Sequence, residues 1–337
     1  MATSNDCQID IGLTMKTTNL LLALLLSGIT LEANEWHMKN INFHMENDAD
    51  FRTDEAYTYG ADISVLFQLD NADYLHIPFT AYKMQDNYIS FSYAHKMYTP
   101  EDLDRADLIV DDRPYAGYMY LQSGLYQSSN KRLKSLIFEL GCIGPSTGMK
   151  HVQDAIHSII GSHDPKGWSH QLHDEVTFQV NFSDKYYIDM QPVFGLEANL
   201  VPEYGFELGN VSTKVYTAAL YRFGWNIAKD YGSYAVDNTS YSKIQLDKDK
   251  VYKDEWGFSF NLSLKANLIA QNIFLDGNTI VESHSVEKNH FTVDGGYGVS
   301  LSYGHWGFDY IRTHTTKEFK LQDSPNSYGS FLFSYNY

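Results

Sequence analysis

Trp256-Gly-Phe-Ser-Phe-Asn-Leu-Ser-Leu-Lys-Ala-Asn-Leu268 decides the fold. Its even positions read Trp, Phe, Phe, Leu, Leu, Ala, Leu, and the positions between them Gly, Ser, Asn, Ser, Lys, Asn, an unbroken period of two. Successive side chains of a strand point to opposite faces, so this strand has one apolar and one polar face. Phe291–Tyr303 repeats the pattern, and Tyr57–Leu69 does so with Leu66 as the exception. Strands of soluble sandwiches usually run about 5–6 residues, whereas a tilted strand that crosses a bilayer needs about 9–11. These three segments are long enough to span.

Shorter alternating segments occur at Trp36–Met45, Tyr88–His95, Tyr115–Gln127, Arg132–Gly141, Asp174–Phe182, Tyr186–Phe194, Val211–Tyr221, Trp306–Thr315 and Tyr328–Tyr337. Together they make about twelve strands, an even number as bacterial barrels require. The expected fold is all-β, a transmembrane antiparallel barrel with a short helix in one long outer loop. It forms a single domain over residues 34–337. Phe331, Phe333, Tyr335 and Tyr337 alternate up to an aromatic last residue, a pattern similar to the C-terminal sorting signal of outer-membrane proteins.

Composition agrees with this reading. Aromatics make up 15% of the 337 residues, as the girdles of such a barrel demand. The net charge of −17 excludes the clustered Lys and Arg that phosphate backbones need, so nucleic acid is not expected as a partner, and no obligate protein partner is evident. An acidic chain beside anionic lipid calls for a bridging cation. Two cysteines, Cys7 and Cys142, exclude a disulfide framework. Lys16, the apolar run Leu20–Leu26 and small residues up to Ala33 have the three parts of a signal peptide over residues 1–33, with Met15 a plausible start. No segment has the 18 or so consecutive apolar residues of a transmembrane helix.

With a periplasmic N-terminus, tight turns are expected at Ser128–Lys131, Ser183–Lys185 and Gly304–His305. Longer outer loops are expected at Glu46–Ala56, Lys96–Pro114, Cys142–His173, Gly195–Asn210, Asn272–Asn289 and Lys317–Ser327. Two connections, 70–87 and 222–253, break this rule by being long on the periplasmic side. The second would suit a structured appendage.

The loop Cys142–His173 contains the one clear helix, Met149–Ile160, with Ser146 or Thr147 as N-cap and Gly161 ending it. Val152, Ala155, Ile156, Ile159 and Ile160 would form its apolar face, with Gln153 and His157 along one edge. Against the outer wall of a barrel such a helix encloses a crevice. There His157 could act as a general base, since imidazoles exchange protons near neutral pH. Gln-x-x-x-His is far less specific than His-Glu-x-x-His, and an ordinary boundary histidine accounts for it as well. The histidines at 151, 157, 163, 170 and 173 match no standard zinc spacing. At the outer end of the first strand, Glu46, Asn47, Asp48 and Asp50 offer the oxygens that Ca²⁺ prefers, although Asn-Asp is equally common in plain polar turns. Thr58 opens the next strand across that loop. There is no Gly-x-Ser-x-Gly elbow.

These pieces in order resemble one family, the outer-membrane lipid A 3′-O-deacylases. The matching motifs are Glu46-Asn47-Asp48, Tyr57-Thr58-Tyr59-Gly60, Tyr98-Thr99-Pro100, Asp111-Asp112-Arg113-Pro114-Tyr115-Ala116-Gly117, Glu139-Leu140-Gly141, Gly144-Pro145, Gln153-x-x-x-His157, Ile159-Ile160-Gly161 and Pro165-Lys166-Gly167-Trp168. The resemblance implies a twelve-stranded barrel that uses Ca²⁺ to hydrolyse the ester of the 3′ acyloxyacyl chain. It implies His157 as the base with Gln153 beside it, Asn47 and Asp48 at the metal and oxyanion region, and Thr58 supporting them. Where the family has an acidic residue after the helix-ending glycine this chain has His163, with Asp164 next as the implied second calcium ligand. Arg105 and Arg113 are the implied contacts for substrate phosphates. Competing expectations are an outer-membrane phospholipase and a non-enzymatic porin or adhesin.

Overall fold

The computed structural model describes residues 36–48, 56–70, 77, 86–129, 131–161, 163–232, 243–246 and 252–337. The signal-peptide expectation for residues 1–33 lies outside them. His37–Tyr337 forms one compact unit.

Among the described residues, thirteen antiparallel strands make one sheet. They are β1 (Trp36–Asn47), β2 (Ala56–Leu69), β3 (Asp86–Thr99), β4 (Ala116–Ser129), β5 (Arg132–Ile143), β6 (Glu175–Tyr186), β7 (Ile188–Val193), β8 (Leu196–Gly209), β9 (Ser212–Trp225), β10 (Trp256–Asn272), β11 (Phe291–Tyr303), β12 (Trp306–Thr315) and β13 (Asn326–Asn336). Each strand pairs with its sequence neighbours except β6 and β7, which do not pair with each other; β1 pairs with β13, and β6 pairs with β8 to close the ring. β6 and β7 are one crossing interrupted once. Gln179 pairs with Gly209 and Ile188 with Leu200, the same register on both sides of the gap. The ladder lapses opposite Pro202, which has no N–H to give, and the Tyr187 N–H turns to the Lys131 carbonyl at 2.7 Å. The barrel therefore has twelve crossings.

That crossing corrects part of the sequence reading. Ser183–Lys185 is not a turn. Ser183 Oγ meets Ser135 Oγ at 2.7 Å, and Asp184 accepts from Arg132 Nε at 2.8 Å. The turn lies at Phe194-Gly195, both with positive φ (51° and 79°), and most of Gly195–Asn210 is the strand β8.

The alternation divides most of the strands as expected, β7 being exposed on both faces and β2 broken once by a bulge. Phe260, Leu262, Leu264, Phe291, Tyr297 and Phe333 are exposed on the outside, an apolar belt suited to lipid. The lumen holds polar side chains such as Asn42, Lys96, Glu139 and Asp309. It also holds parts of the two long connections. Ile77 is buried with its N–H on Gln127 Oε1 at 3.0 Å. Tyr231 and Ile244 pack with Leu66, Tyr126, Val201 and Leu220. Arg222 binds the Asp230 carboxylate and carbonyl at 2.6 Å each, and Lys243 binds Asp309 at 2.6 Å. The expected appendage is thus a plug, at least in its described residues. At the opposite rim the short helix α2 (Ile273–Asp276) sets Phe274 against Tyr98, ring centroids 4.0 Å apart.

Candidate active site

α1 (Met149–Ile160) lies on the outside of the wall. A lone twelve-residue helix is marginal in water, so docking must hold it. Met149 and Val152 pack on Met97 of β3 and Tyr59 of β2, with Tyr115 and Trp168. Those strand positions face outward, since Met97 and Tyr59 pair with each other and each lies four residues, an even number, from exposed Tyr93 and Ile63. Gly117 of β4 makes the contact possible, because a Cβ there would lie 2.2 Å from Thr147 Oγ1 and 2.7 Å from Met149 Cγ.

The buried face of α1 is Met149, Gln153 and His157, with Val152 and Ile156 half-buried. Gln153 is 2% exposed and His157 3%. Ala155 and Ile159 were expected inside, yet Ile159 is 84% exposed. Gln153 and His157 therefore occupy the centre of the docked face rather than its edge. The expected side-chain cap is also absent. Gly148 at φ 69° starts the helix, and the Thr147 hydroxyl donates to the Gly144 carbonyl at 2.7 Å. Gly161 ends it in the left-handed conformation as expected.

Each polar group of this face is oriented by the following segment. Trp168 Nε1 donates to Gln153 Oε1 at 2.7 Å, and Gln153 Nε2 is buried with no hydrogen-bond partner among the described residues. His157 Nδ1 lies 2.5 Å from the His163 carbonyl oxygen. A carbonyl only accepts, so Nδ1 carries a proton, and in the neutral ring the lone pair is therefore on Nε2. His163 thus contributes its backbone, and its side chain is exposed, as is Asp164.

The 100–115 loop supports this segment. The Tyr115 and Trp168 rings lie 5.0 Å apart, the Leu172 N–H bonds the Tyr115 carbonyl at 2.9 Å, and the Lys166 N–H bonds the Leu103 carbonyl at 2.9 Å. Gly167 abuts Tyr115 and the Arg105 carbonyl. Tyr115, Trp168 and the Gln153 interaction were not legible as a linked set, since they are far apart in sequence.

At the ends of β1 and β2, Asp48 is buried and its N–H reaches the Thr58 carbonyl at 3.5 Å. Thr58 is the extra residue of a bulge, between Tyr57 on the lumen side and Tyr59 on the wall beneath α1. Its Oγ1 lies 2.7 Å from Thr99 Oγ1. Asn47 ends β1 opposite Gly329. Thr58 and α1 are therefore brought to one strip of wall through Tyr59 and Met97. The two arginines separate. Arg105 is exposed, whereas Arg113 is buried, ion-paired to Glu318 and 5.7 Å from the ring centres of Tyr98 and Phe319. Among the described residues no group of three His, Cys, Asp or Glu side chains is arranged to hold a metal.

Residues 20–337 match the family described as Outer membrane protein LpxR. The chain belongs to that family. LpxR from Salmonella typhimurium shares its fold, with TM-score 0.71 at 16% identity over 88% of this chain and 100% of that one. The translocator domain of the autotransporter NalP from Neisseria meningitidis matches at TM-score 0.42 and 7% identity, over 97% and 96% of the two chains. The beta domain of the Bordetella autotransporter BrkA matches at 0.42 and 11%, over 89% and 99%. The curated proteins contain no sequence match. As an LpxR-family barrel the chain is an outer membrane protein, and no described helix is long and apolar enough to cross a membrane.

Proposed function

We propose that this protein is a Ca²⁺-dependent ester hydrolase that removes the 3′-linked acyloxyacyl chain of lipid A, working at the outer leaflet. Family membership supports the reaction class. The observation that carries the reading is the burial of Gln153 and His157 between α1 and the lipid-facing wall, beside which the ester of a membrane lipid would lie.

His157 Nε2 takes a proton from water as the water oxygen attacks the ester carbonyl carbon. The tetrahedral intermediate collapses with cleavage of the bond to the sugar oxygen, and the leaving alkoxide takes the proton back from the imidazolium. The His163 carbonyl holds the ring in the required tautomer. Gln153, its oxygen occupied by Trp168, presents Nε2 as a donor to the water or to the developing oxyanion. Asn47 and Thr58 complete the polar wall.

The donor set at the end of β1 suits Ca²⁺ in kind. Asp48, Asn47 and the Thr58 hydroxyl would supply hard oxygens with no thiolate among them, and Asp164 is the second carboxylate proposed for the ion. When bound there, the ion would polarise the ester carbonyl and neutralise charge gathering on its oxygen. Arg105 is the exposed cation proposed to meet substrate phosphate. The plugged lumen gives no support to a porin reading.

The test is incubation of purified protein with lipid A micelles and, separately, phospholipid vesicles, each with Ca²⁺ or EGTA. Release of the 3′ chain from lipid A with Ca²⁺ is expected. Release of fatty acid from phospholipid instead would overturn the substrate assignment.

A further inference from the structure

One row of the wall runs sideways from the candidate site. Asn47 pairs with Gly329 of β13, Gly329 with Arg312 of β12, and Arg312 with Tyr297 of β11. Paired residues share a face of the sheet. Tyr297 is exposed on the lipid-facing side, so Arg312 and Asn47 project outward with it. Gly329 places no side chain between them, and two strand spacings put them about 10 Å apart.

The rows on either side set the depth of Arg312. Towards the middle of the strands the next outward row reads Met45, Phe331, Tyr310 and Val299, all apolar or aromatic. Towards the rim it reads Ser327, His314 and Gly295. Arg312 thus stands where the apolar belt gives way to polar side chains, the level of lipid headgroups. His314 is fixed there, its Nδ1 2.6 Å from Ser327 Oγ and its ring stacked on Tyr297 with centroids 5.9 Å apart. Beside it Gly295 leaves open space, since a Cβ there would meet nothing among the described residues within 4 Å.

We propose that Arg312, with His314 and the notch at Gly295, is an anion subsite that binds a phosphate of the glycolipid whose ester lies at the Asn47 end of the row. This rests on the hydrolase reading and deepens it. A chain of net charge −17 needs localised cations to hold an anionic lipid in register, and Arg312 would meet a phosphate other than the one proposed for Arg105. A guanidinium at headgroup depth suits a phosphate, which it can engage through two parallel hydrogen bonds.

The experiment compares hydrolysis of lipid A with that of the same lipid stripped of both phosphates, in detergent micelles, by wild type, Arg312→Gln and Arg312→Lys. A gel-mobility shift on heating verifies that each barrel is folded. For the phosphorylated lipid, Arg312→Gln is expected to raise KM roughly 10- to 100-fold with little change in kcat. Arg312→Lys recovers part of the loss, and with the stripped lipid the three proteins converge. An equal rise for both lipids, or no rise, overturns the subsite. Equilibrium binding of phosphorylated lipid A separates the two ideas. If wild type cleaves neither lipid but Arg312→Gln still weakens this binding, the hydrolase reading falls and the subsite stands. If wild type cleaves lipid A and Arg312→Gln changes nothing, the subsite alone falls.

Discussion

Trp168 donates its indole N–H to Gln153 Oε1 across 2.7 Å, and both side chains are buried against the outer wall of the barrel. This bond joins the segment after α1 to the helix and decides which end of the Gln153 amide points into the crevice. Trp168→Phe keeps the packing on Tyr115 but loses the donor. We expect kcat to fall about tenfold, with stability lowered by only about 1 kcal/mol, the usual cost of one hydrogen bond. Steady-state kinetics beside a denaturation midpoint check this, and a midpoint that collapses with kcat would mean the bond serves folding instead.

Docking of α1 depends on the bare backbone at Gly117. Gly117→Val places carbons where Thr147 Oγ1 and the Met149 side chain lie, so the helix must lift. The barrel should still form, since Gly117 faces outward and its strand pairing with Met97 is main-chain. The prediction is a heat-modifiable barrel with at least tenfold lower activity. Proteolysis that newly cuts within residues 144–174 would report the displaced helix.

The Ca²⁺ proposal makes Asp48 sensitive to charge removal. Asp48→Asn should shift the Ca²⁺ concentration for half-maximal activity upward by at least tenfold while leaving the activity at saturating Ca²⁺ measurable. A Ca²⁺ titration of the variant checks it, and an unchanged titration curve would remove Asp48 from the ligand set.

The plug predicts a silent barrel that acid opens. Burial disfavours the Asp230 charge, but Lys243 and Arg222 more than offset this and hold its carboxyl below the usual carboxylate range. A lowered folded-state pKa contributes stability above the unfolded value, near 3.9, that is lost as pH falls through the folded value. In planar bilayers we therefore expect no conductance at pH 7 and openings only below about pH 4. Asp230→Asn should open at neutral pH.

The barrel was legible because the lipid-facing residues of Trp256–Leu268, Phe291–Tyr303 and Tyr57–Leu69 repeat every second position, and the observed registers keep that alternation except at the Thr58 bulge, which turns Tyr57 to the lumen. Leu196–Gly209 alternates as well, but Pro202 in its middle and its glutamates read as loop. The polar run Ser183–Lys185 read as a turn because a strand that pairs with polar lumenal partners looks locally like a turn. Similarly, helical periodicity found α1 and the proximity of Gln153 to His157. It could not place the docked face, because Gly117 and Met97, which determine that face, lie on other strands. The partition of Arg105 from Arg113 depends on Glu318, more than two hundred residues from Arg113.

The central claim, that His157 on the lipid-facing wall hydrolyses the 3′ ester of lipid A, is tested most directly by mass spectrometry of lipid A from cells expressing wild type or His157→Ala. The account predicts loss of the mass of the 3′ acyloxyacyl chain with wild type. It predicts intact lipid A with the variant, since removing a general base costs roughly 10²–10⁴-fold in rate. Unchanged lipid A with wild type, or the same loss with His157→Ala, would contradict it.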